Sequence, residues 1–208
     1  MKIKPSKIVA VGLNYRDHAA EMKEALPQTP ILFLKPPTTV IASGEPIVLP
    51  ALSSYVEYEG EIGVVIGRTL RKGTEADARR AIGGVAAVND VTARDLQRSD
   101  LQWTRAKGFD TFLPVGPFAP PPADLSDLTV VTRVNGRERQ RAAARDMVFG
   151  IPWLLSYISQ VITLEPGDLV ATGTPAGVGQ LNAGDQVEVE IVGLSVVRNP
   201  VVDGRASA

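Results

Sequence analysis

Cysteine is absent from the sequence, which excludes disulfide bonds, thiolate nucleophiles and cysteine-based zinc sites. Long apolar runs are missing too, since none approaches the ~20 residues that a helix needs to cross a bilayer. The first residues lack the apolar stretch of a signal peptide. The formal net charge is only −1, which gives no electrostatic reason to expect nucleic acid or an anionic membrane as a partner. Together these absences predict a cytoplasmic protein that binds neither nucleic acid nor membrane.

What the sequence does contain is typical of one globular domain. Its 208 residues are 44% hydrophobic and 22% charged, so we expect a single domain with its own core over residues 1–208. The 19 glycines and 16 prolines are spread along the chain and predict many turns. Short apolar runs predict strands at residues 7–12, 31–35, 47–49, 85–91, 169–172, 186–192 and 196–202.

Two segments outside these strands have the spacing of helices. Residues 75–82 alternate charge and alanine, and we expect that helix to end at Gly83-Gly84. Residues 151–161 place Trp153 and Tyr157 at helical spacing among aliphatic residues. Aromatic side chains in such a pattern are typical of a buried helix face, so both are predicted to lie in the core.

Two loops have distinctive sequences. Asn135-Gly136 lies between residues 128–134 and a strand that begins at Arg137, which predicts a hairpin with a type I′ turn. The glycine-rich residues 173–179 follow a predicted strand and would bring backbone N–H groups close to an anion. The order of residues in this second loop differs from that of a phosphate-binding P-loop or a Rossmann fingerprint.

An acidic triplet stands at the start of an apolar run. If residues 58–66 form one strand, alternation places Glu59 and Glu61 on the same face, where two buried like charges repel. A hard divalent cation with oxygen ligands would relieve this repulsion. The alternative is a solvated edge strand with two surface glutamates. Asp90 ends the apolar run 85–91 and is a third candidate ligand, although an aspartate there is often a turn or cap residue.

The single histidine, His18, lies in a segment that predicts a short helix. Residues 19–25 are rich in alanine and glutamate, with Asn14 or Asp17 near the start. Glu21 follows His18 by three residues, so the two side chains share a helix face. A carboxylate in that position orients an imidazole and raises its basicity, as a general base requires. The alternative is an ordinary surface pair.

Five segments taken in order resemble the fumarylacetoacetate hydrolase family. They span almost the whole chain, and they read GLNYRDHAAE at 12–21, YEGE at 58–61, NDVTARDLQ at 89–97, KGFD at 107–110 and GTPAGVG at 173–179. The resemblance implies an α+β, mainly β fold, a mixed β-sandwich or β-roll with long loops and a few short helices. It also implies a homodimer. One departure is Leu13, where many members of the family have arginine.

The resemblance also implies roles for nine side chains. Metal ligands for Mg²⁺ or Mn²⁺ match Glu59, Glu61 and Asp90. A catalytic pair on a helix at about residues 14–25, which orders over the site, matches His18 and Glu21. The remaining matches are a catalytic lysine and three residues that line the substrate site, namely Lys107, Arg94, Gln97 and Thr174.

Three functions are compatible with these residues. The first is hydrolysis of a C–C bond in an acylpyruvate, or decarboxylation of a β-keto acid such as oxaloacetate, with the metal stabilising an enolate. The second is isomerisation or tautomerisation of a 2-hydroxymuconate-type diene acid in aromatic catabolism, which needs the metal and a proton shuttle. The third is a metal-stabilised binding protein without catalysis, although such a protein has no need of the pair His18 and Glu21.

Overall fold

A computed structural model of the chain describes residues 4–23 and 25–204. The helices in this part of the chain are short: α1 (Arg16–Met22), α2 (Glu75–Ala81), α3 (Arg94–Ser99), α4 (Thr104–Lys107) and α5 (Ile151–Val161). The strands in the first half are β1 (Ile8–Gly12), β2 (Ile31–Lys35), β3 (Val40–Ile41), β4 (Ile47–Leu49), β5 (Val56–Tyr58), β6 (Gly60–Ile66), β7 (Ile82–Asn89) and β8 (Thr92–Ala93). Those in the second half are β9 (Leu113–Pro114), β10 (Thr129–Val134), β11 (Arg137–Ala143), β12 (Leu169–Ala171), β13 (Gly179–Gln180), β14 (Gln186–Ile191) and β15 (Ser195–Asp203).

Two five-stranded mixed sheets make up most of the structure. One has the order β2-β1-β12-β6-β7 and the other β11-β10-β14-β15-β4. Each contains one parallel pair, β1 with β12 and β15 with β4, while the other neighbours are antiparallel. Apolar side chains from both sheets meet in one core cluster, for example Val9 and Ile62 of the first sheet with Val130 and Val189 of the second. The predicted mixed, mainly β sandwich is therefore confirmed.

The predicted continuous strand over residues 58–66 is wrong, because the chain changes sheets in the middle of it. β5 pairs with β13 and β8 in a three-stranded sheet, whereas β6 pairs with β12 and β7. Glu59 lies at the change, outside both strands. Gly60 follows it at a point where a β-carbon would lie 1.8 Å from Thr132 Oγ1. A larger residue at this position would displace the Thr132 side chain of the second sheet, so glycine lets the chain pass close to that sheet where it changes partners.

The helix predicted at residues 75–82 is confirmed, but its predicted end is not. α2 ends at Ala81, and Gly83 and Gly84 lie inside β7 instead of terminating the helix. A β-carbon at Gly83 would lie 2.7 Å from the Gly67 Cα. The glycine pair therefore serves a close approach of two strands, not a helix C-cap.

The predicted helix at residues 151–161 is confirmed, while the buried position predicted for its aromatic residues is wrong. The buried face of α5 is aliphatic and includes Leu154, Leu155 and Ile158. Trp153 lies on another face, is 37% exposed and stacks with Phe149 and Tyr157 at ring-centroid distances of 5.0 and 5.4 Å. The helical periodicity was correct, but the aliphatic residues occupy the core-facing stripe.

The hairpin of β10 and β11 has the predicted turn. Asn135 and Gly136 both have left-handed backbone torsions, with φ of 52° and 76°, as a type I′ turn requires. The other predicted strands are present, with small differences at their ends. Among the described residues, no helix is both long and apolar enough to cross a membrane.

Candidate active site

Three buried carboxylates meet where β6 and β7 lie side by side. Glu59, Glu61 and Asp90 each offer an oxygen, and these oxygens all lie within 4.8 Å of one another. We call these residues the acidic triad. Glu61 pairs with Val88 across the two strands, and the backbone N–H of Asp90 donates to the Glu59 carbonyl at 2.8 Å. The glutamates are therefore not on a solvated edge strand, and Asp90 is more than a turn residue, being 1% exposed.

Positive side chains neutralise two members of the triad. Lys107 Nζ donates to Glu59 Oε2 and to Asp90 Oδ2, both at 2.8 Å. Arg94 donates to the other oxygen of Glu59 at 2.7 Å. Lys35 Nζ donates to the other oxygen of Asp90 at 2.6 Å. The predicted residues Lys107 and Arg94 thus lie in the site, in contact with the triad.

Sequence reasoning missed two members of this network, Lys35 and Glu57. Lys35 is 1% exposed, and Glu57 accepts a hydrogen bond from Arg94 at 2.7 Å. A lysine that ends an apolar strand, and a third acidic residue in alternation with Glu59, are the signals that would have found them. The sequence signal at Lys35 does not identify the carboxylate that it contacts, because Lys35 and Asp90 are 55 positions apart.

Burial and neighbouring charges shift the pKa values of the two glutamates of the triad in opposite directions. Burial alone would raise the pKa of Glu59, but the positive charges of Lys107 and Arg94 outweigh it and lower that pKa. The pKa of Glu61 is raised well above its usual range, first by burial and then by the negative charges of Asp90 and Glu59. Burial would lower the pKa of Lys107, yet Asp90 and Glu59 raise it, so the ammonium stays protonated.

The donor set fits a hard divalent cation. All three candidate ligands are carboxylates, the oxygen donors that Mg²⁺ and Mn²⁺ prefer. Glu61 has the raised pKa of a carboxyl group that lacks sufficient positive charge nearby. A divalent cation held by Glu59, Glu61 and Asp90 would supply that charge, so the residues present suit the predicted metal.

His18 and Glu21 lie close to each other on α1, as predicted. His18 Nδ1 is 3.1 Å from Glu21 Oε2, and His18 is only 4% exposed, so this is not an ordinary surface pair. α1 begins at Arg16, between the two residues predicted near its start, and ends at Met22, earlier than the predicted end at residue 25. Position 24 of the predicted helix lies outside the described residues. Asp17 lies within the helix and does not cap it.

Asn14 does not cap α1 either, because its side chain joins two other segments. Its amide donates to the Thr172 carbonyl at 2.8 Å and to the Phe149 carbonyl at 3.1 Å, while its oxygen accepts from the Phe149 N–H at 2.9 Å. These bonds hold the start of α1 against the end of β12. The position of His18 is therefore fixed by contacts distant in sequence.

The loop at residues 173–179, which we call the glycine loop, binds carboxylates of the protein itself. The N–H of Gly173 donates to Glu61 at 2.7 Å, and the N–H of Gly177 donates to both oxygens of Glu21 at 3.0 and 3.2 Å. Gly177 has φ of +97°, and a β-carbon there would lie 2.1 Å from the Arg139 carbonyl. The predicted anion-binding property is thus used to position catalytic candidates.

A cavity of about 260 Å³ opens beside the triad and His18. Its polar wall contains most of the predicted site residues, namely His18, Glu59, Arg94, Gln97, Lys107 and Thr174. The hydroxyl of Thr174 donates to the Gly60 carbonyl at 2.9 Å, so its proton is engaged by the backbone. The apolar part of the lining consists of Val11, Leu13, Met22, Phe33 and Trp103.

Comparison with known protein families identifies the family to which the chain belongs. The profile of the fumarylacetoacetate (FAA) hydrolase C-terminal domain matches residues 7–202. The chain belongs to the fumarylacetoacetate hydrolase family. The family predicted from the five sequence segments is therefore confirmed.

Several proteins that are similar to this chain are named as a tautomerase or an isomerase. The human mitochondrial oxaloacetate tautomerase FAHD1 is 44% identical over 193 residues, which are 90% of this chain and 87% of that protein. The crystal structure of 2-hydroxyhepta-2,4-diene-1,7-dioate isomerase from Mycobacterium marinum is similar with a TM-score of 0.89 and 46% identity, covering 97% of this chain and 76% of that one. The 5-carboxymethyl-2-hydroxymuconate delta-isomerase from Mycobacterium smegmatis has the same TM-score and identity, covering 97% and 80%.

Proposed function

We propose that this protein is an Mg²⁺- or Mn²⁺-dependent enzyme that moves a proton on the carbon chain of a 2-oxo acid by way of an enolate. The reaction would be a keto–enol tautomerisation or the isomerisation of a 2-hydroxymuconate-type diene acid. One observation carries the proposal: a buried acidic triad that suits a divalent cation lies beside a cavity that His18 also lines. The names of the tautomerase and isomerase relatives support the same class of reaction.

His18 would transfer the proton. Its Nδ1 is engaged by Glu21, which leaves Nε2 to exchange a proton with the substrate. Glu21 is itself held by the Gly177 N–H, so the imidazole keeps one orientation. A carboxylate beside the ring also stabilises the imidazolium that forms when a proton is taken from carbon.

Lys107 and Arg94 would oppose the negative charge of the enolate. Both line the cavity, and both are held in place by Glu59. Fixed positive charge in a water-poor site stabilises developing negative charge without reorganisation. A divalent cation, when bound by Glu59, Glu61 and Asp90, supplies Lewis acidity for the same purpose.

Hydrolysis of an acylpyruvate, or decarboxylation of a β-keto acid, is the second candidate function. The cavity of about 260 Å³ would admit a small 2-oxo acid together with a water molecule, whose share of liquid volume is about 30 Å³. The pair of His18 and Glu21 is also the arrangement that activates water as a nucleophile. The same enolate serves both reactions, so the site residues have the same roles in either.

A substrate panel tests the proposal. Oxaloacetate, a carboxymethyl-hydroxymuconate, acetylpyruvate and fumarylpyruvate would be followed by absorbance with Mg²⁺, with Mn²⁺ and with a chelator. We expect metal-dependent turnover in the first two, and turnover in the acylpyruvates if hydrolysis is the reaction. His18→Ala should abolish turnover while calorimetric metal binding stays near that of the native protein. Absence of metal-dependent turnover of every compound would refute the proposal, and lost metal binding in the variant would make His18 a ligand.

We also propose a homodimer in the cytoplasm, as the family resemblance and the sequence composition imply. Analytical ultracentrifugation of the protein at several concentrations tests the dimer. A monomer at all concentrations would contradict it.

A further inference from the structure

The cations deep in the cavity are already paired with carboxylates of the protein. Arg94 binds Glu57 and Glu59, and Lys107 binds Glu59 and Asp90. These salt bridges are buried, since Lys107 and Arg94 are each 2% exposed. Neither cation is left over for a distant carboxylate of a substrate.

The buried charged residues around the acidic triad, which we call the inner region, also leave no positive charge for a distant carboxylate of a substrate. It contains three cations and four carboxylates, namely Lys35, Arg94, Lys107, Glu57, Glu59, Glu61 and Asp90. A divalent cation would change the net charge of this group from −1 to +1. The single carboxylate of a 2-oxo acid then makes the inner region neutral. A second carboxylate on the same substrate needs positive charge from elsewhere.

Arg98 is positioned to supply that charge. It lies one helical turn after Arg94 on α3, it lines the same cavity and it is exposed, which locates it where the cavity meets solvent. Within residues 4–23 and 25–204, its guanidinium has no hydrogen bond or ion pair with another side chain. It differs in this respect from Arg94 and Lys107, the other two cations that line the cavity.

The other side chains that line the cavity are mostly apolar and suit a hydrocarbon chain. Phe33 and Trp103 pack edge to face at 5.2 Å, and Met22 and Leu13 complete the apolar wall. A substrate that spans the cavity would therefore have oxygens at one end, an apolar middle and a second polar group at the mouth.

We propose that Arg98 is a specificity-determining residue that binds the far carboxylate of a 2-oxo diacid. This inference rests on the proposed function, because it takes the 2-oxo acid end of the substrate to lie at the acidic triad. The guanidinium fork can bind a carboxylate through two hydrogen bonds. The protein thereby prefers 2-oxo diacids over 2-oxo monoacids of equal length.

Binding of two matched acids tests this preference. 2-Oxoadipate and 2-oxohexanoate have the same number of carbons and differ in the far carboxylate, and 2-oxoglutarate and 2-oxopimelate vary the reach. Each would be titrated by calorimetry into the Mn²⁺-loaded protein and into chelator-treated protein. We expect the best diacid to bind on the order of tenfold more tightly than the monoacid, as one charge-assisted contact provides.

Three variants distinguish a direct contact between Arg98 and the far carboxylate from a general effect of removing a surface positive charge. Arg98→Gln should remove the advantage of the diacid and leave the affinity for 2-oxohexanoate unchanged, while Arg98→Lys should retain part of the advantage. Arg137→Gln, at an exposed arginine on the β10–β11 hairpin, should change neither.

The two acids also keep the inference distinct from the proposed function. If the native protein binds monoacid and diacids equally at every length, or if Arg98→Gln weakens both acids alike, the role of Arg98 is refuted while the proposed function stands. If neither 2-oxohexanoate nor any of the diacids shows metal-dependent binding, the proposed function fails, and the inference fails with it.

Discussion

Among the residues of the acidic triad, Glu61 is neutralised differently from the other two. Glu59 and Asp90 each contact two positive side chains, whereas Glu61 accepts a hydrogen bond from the Gly173 N–H. Burial and the two neighbouring carboxylates raise its pKa. A carboxyl group with a raised pKa stabilises the folded protein below the pKa of the unfolded chain, and this contribution is lost as pH rises through the folded value.

We predict a pH-dependent stability difference between the native protein and Glu61→Gln in metal-free buffer. Glutamine stays neutral, so the melting temperature of the variant should rise relative to the native protein as pH increases from about 5 to about 8. Added Mn²⁺ should stabilise the native protein more than the variant. A difference in melting temperature that stays constant over this pH range would contradict the assignment.

A substitution of Asp90 provides a second test of the metal site. We predict that Asp90→Asn weakens Mn²⁺ binding on the order of tenfold or more, because a charged ligand is lost. Calorimetric titration measures the affinity. Asp95→Asn is the control, since this carboxylate binds Ser53 and Ser54 outside the triad. An affinity unchanged by Asp90→Asn would remove Asp90 from the metal site.

At the scale of elements, the decisive feature is the change of sheets between β5 and β6. The chain leaves one sheet at Tyr58 and enters another at Gly60, so Glu59 lies at the crossing and Glu61 lies just inside β6. The Gly60 N–H donates to Gln140 of β11 at 3.0 Å, and Thr132 of β10 lies against the same point. The spacing of the two glutamates therefore depends on how closely the second sheet approaches.

Gly60→Ala should disturb both the fold and the metal site. The added methyl group would clash with Thr132 Oγ1 and push the strands apart, at a cost of about 1–3 kcal/mol. We expect a lower free energy of unfolding in urea and a weaker affinity for Mn²⁺. Gly150→Ala is the control, because no atom lies within 4 Å of a β-carbon there. Equal behaviour of the two variants would show that the crossing tolerates a side chain.

At the scale of the whole molecule, the triad joins elements from distant parts of the chain. β6 lies between β12 and β7 in one sheet, and Ile62 and Val64 of β6 pack in the core shared with the other sheet. A cation bound to this strand and to the residue after β7 would bind only the folded chain. Its binding free energy is therefore added to the stability of the entire protein.

Chelation should lower both activity and melting temperature. A cation at about a hundred times its dissociation constant adds about 2.7 kcal/mol, which corresponds to roughly 5–10 °C for a chain of this size. Differential scanning calorimetry with Mn²⁺ and with a chelator measures the shift. A fully active protein with the same melting temperature in chelator would contradict metal dependence.

Local patterns in the sequence predicted much of the fold and the candidate site. The Asn135-Gly136 turn, the helix over residues 151–161 and the pairing of His18 with Glu21 each depend on neighbours within a few positions. The three carboxylates, by contrast, were brought together by comparison with a family pattern. Their convergence is a property of strand pairing between β6 and β7, which no single segment encodes.

Features that depend on contacts between distant segments were not predictable from one sequence. The bond of Lys35 to Asp90, the change of sheets at Glu59 and the exposed position of Trp153 all result from packing of elements far apart in the chain. The role of Gly83 and Gly84 inside β7 likewise depends on neighbouring segments. A glycine required by a helix end and one required by a neighbouring backbone look alike in sequence.

The glycine loop is hydrogen-bonded both to the acidic triad and to the pair of His18 and Glu21. Gly173 holds a member of the triad, and Gly177, four positions later, holds the carboxylate that steadies the imidazole. A movement of α1 away from the cavity would pull on the same short peptide that supports Glu61. Any change in the backbone of this loop would therefore alter the support of a candidate metal ligand and of the candidate proton-transferring pair at the same time.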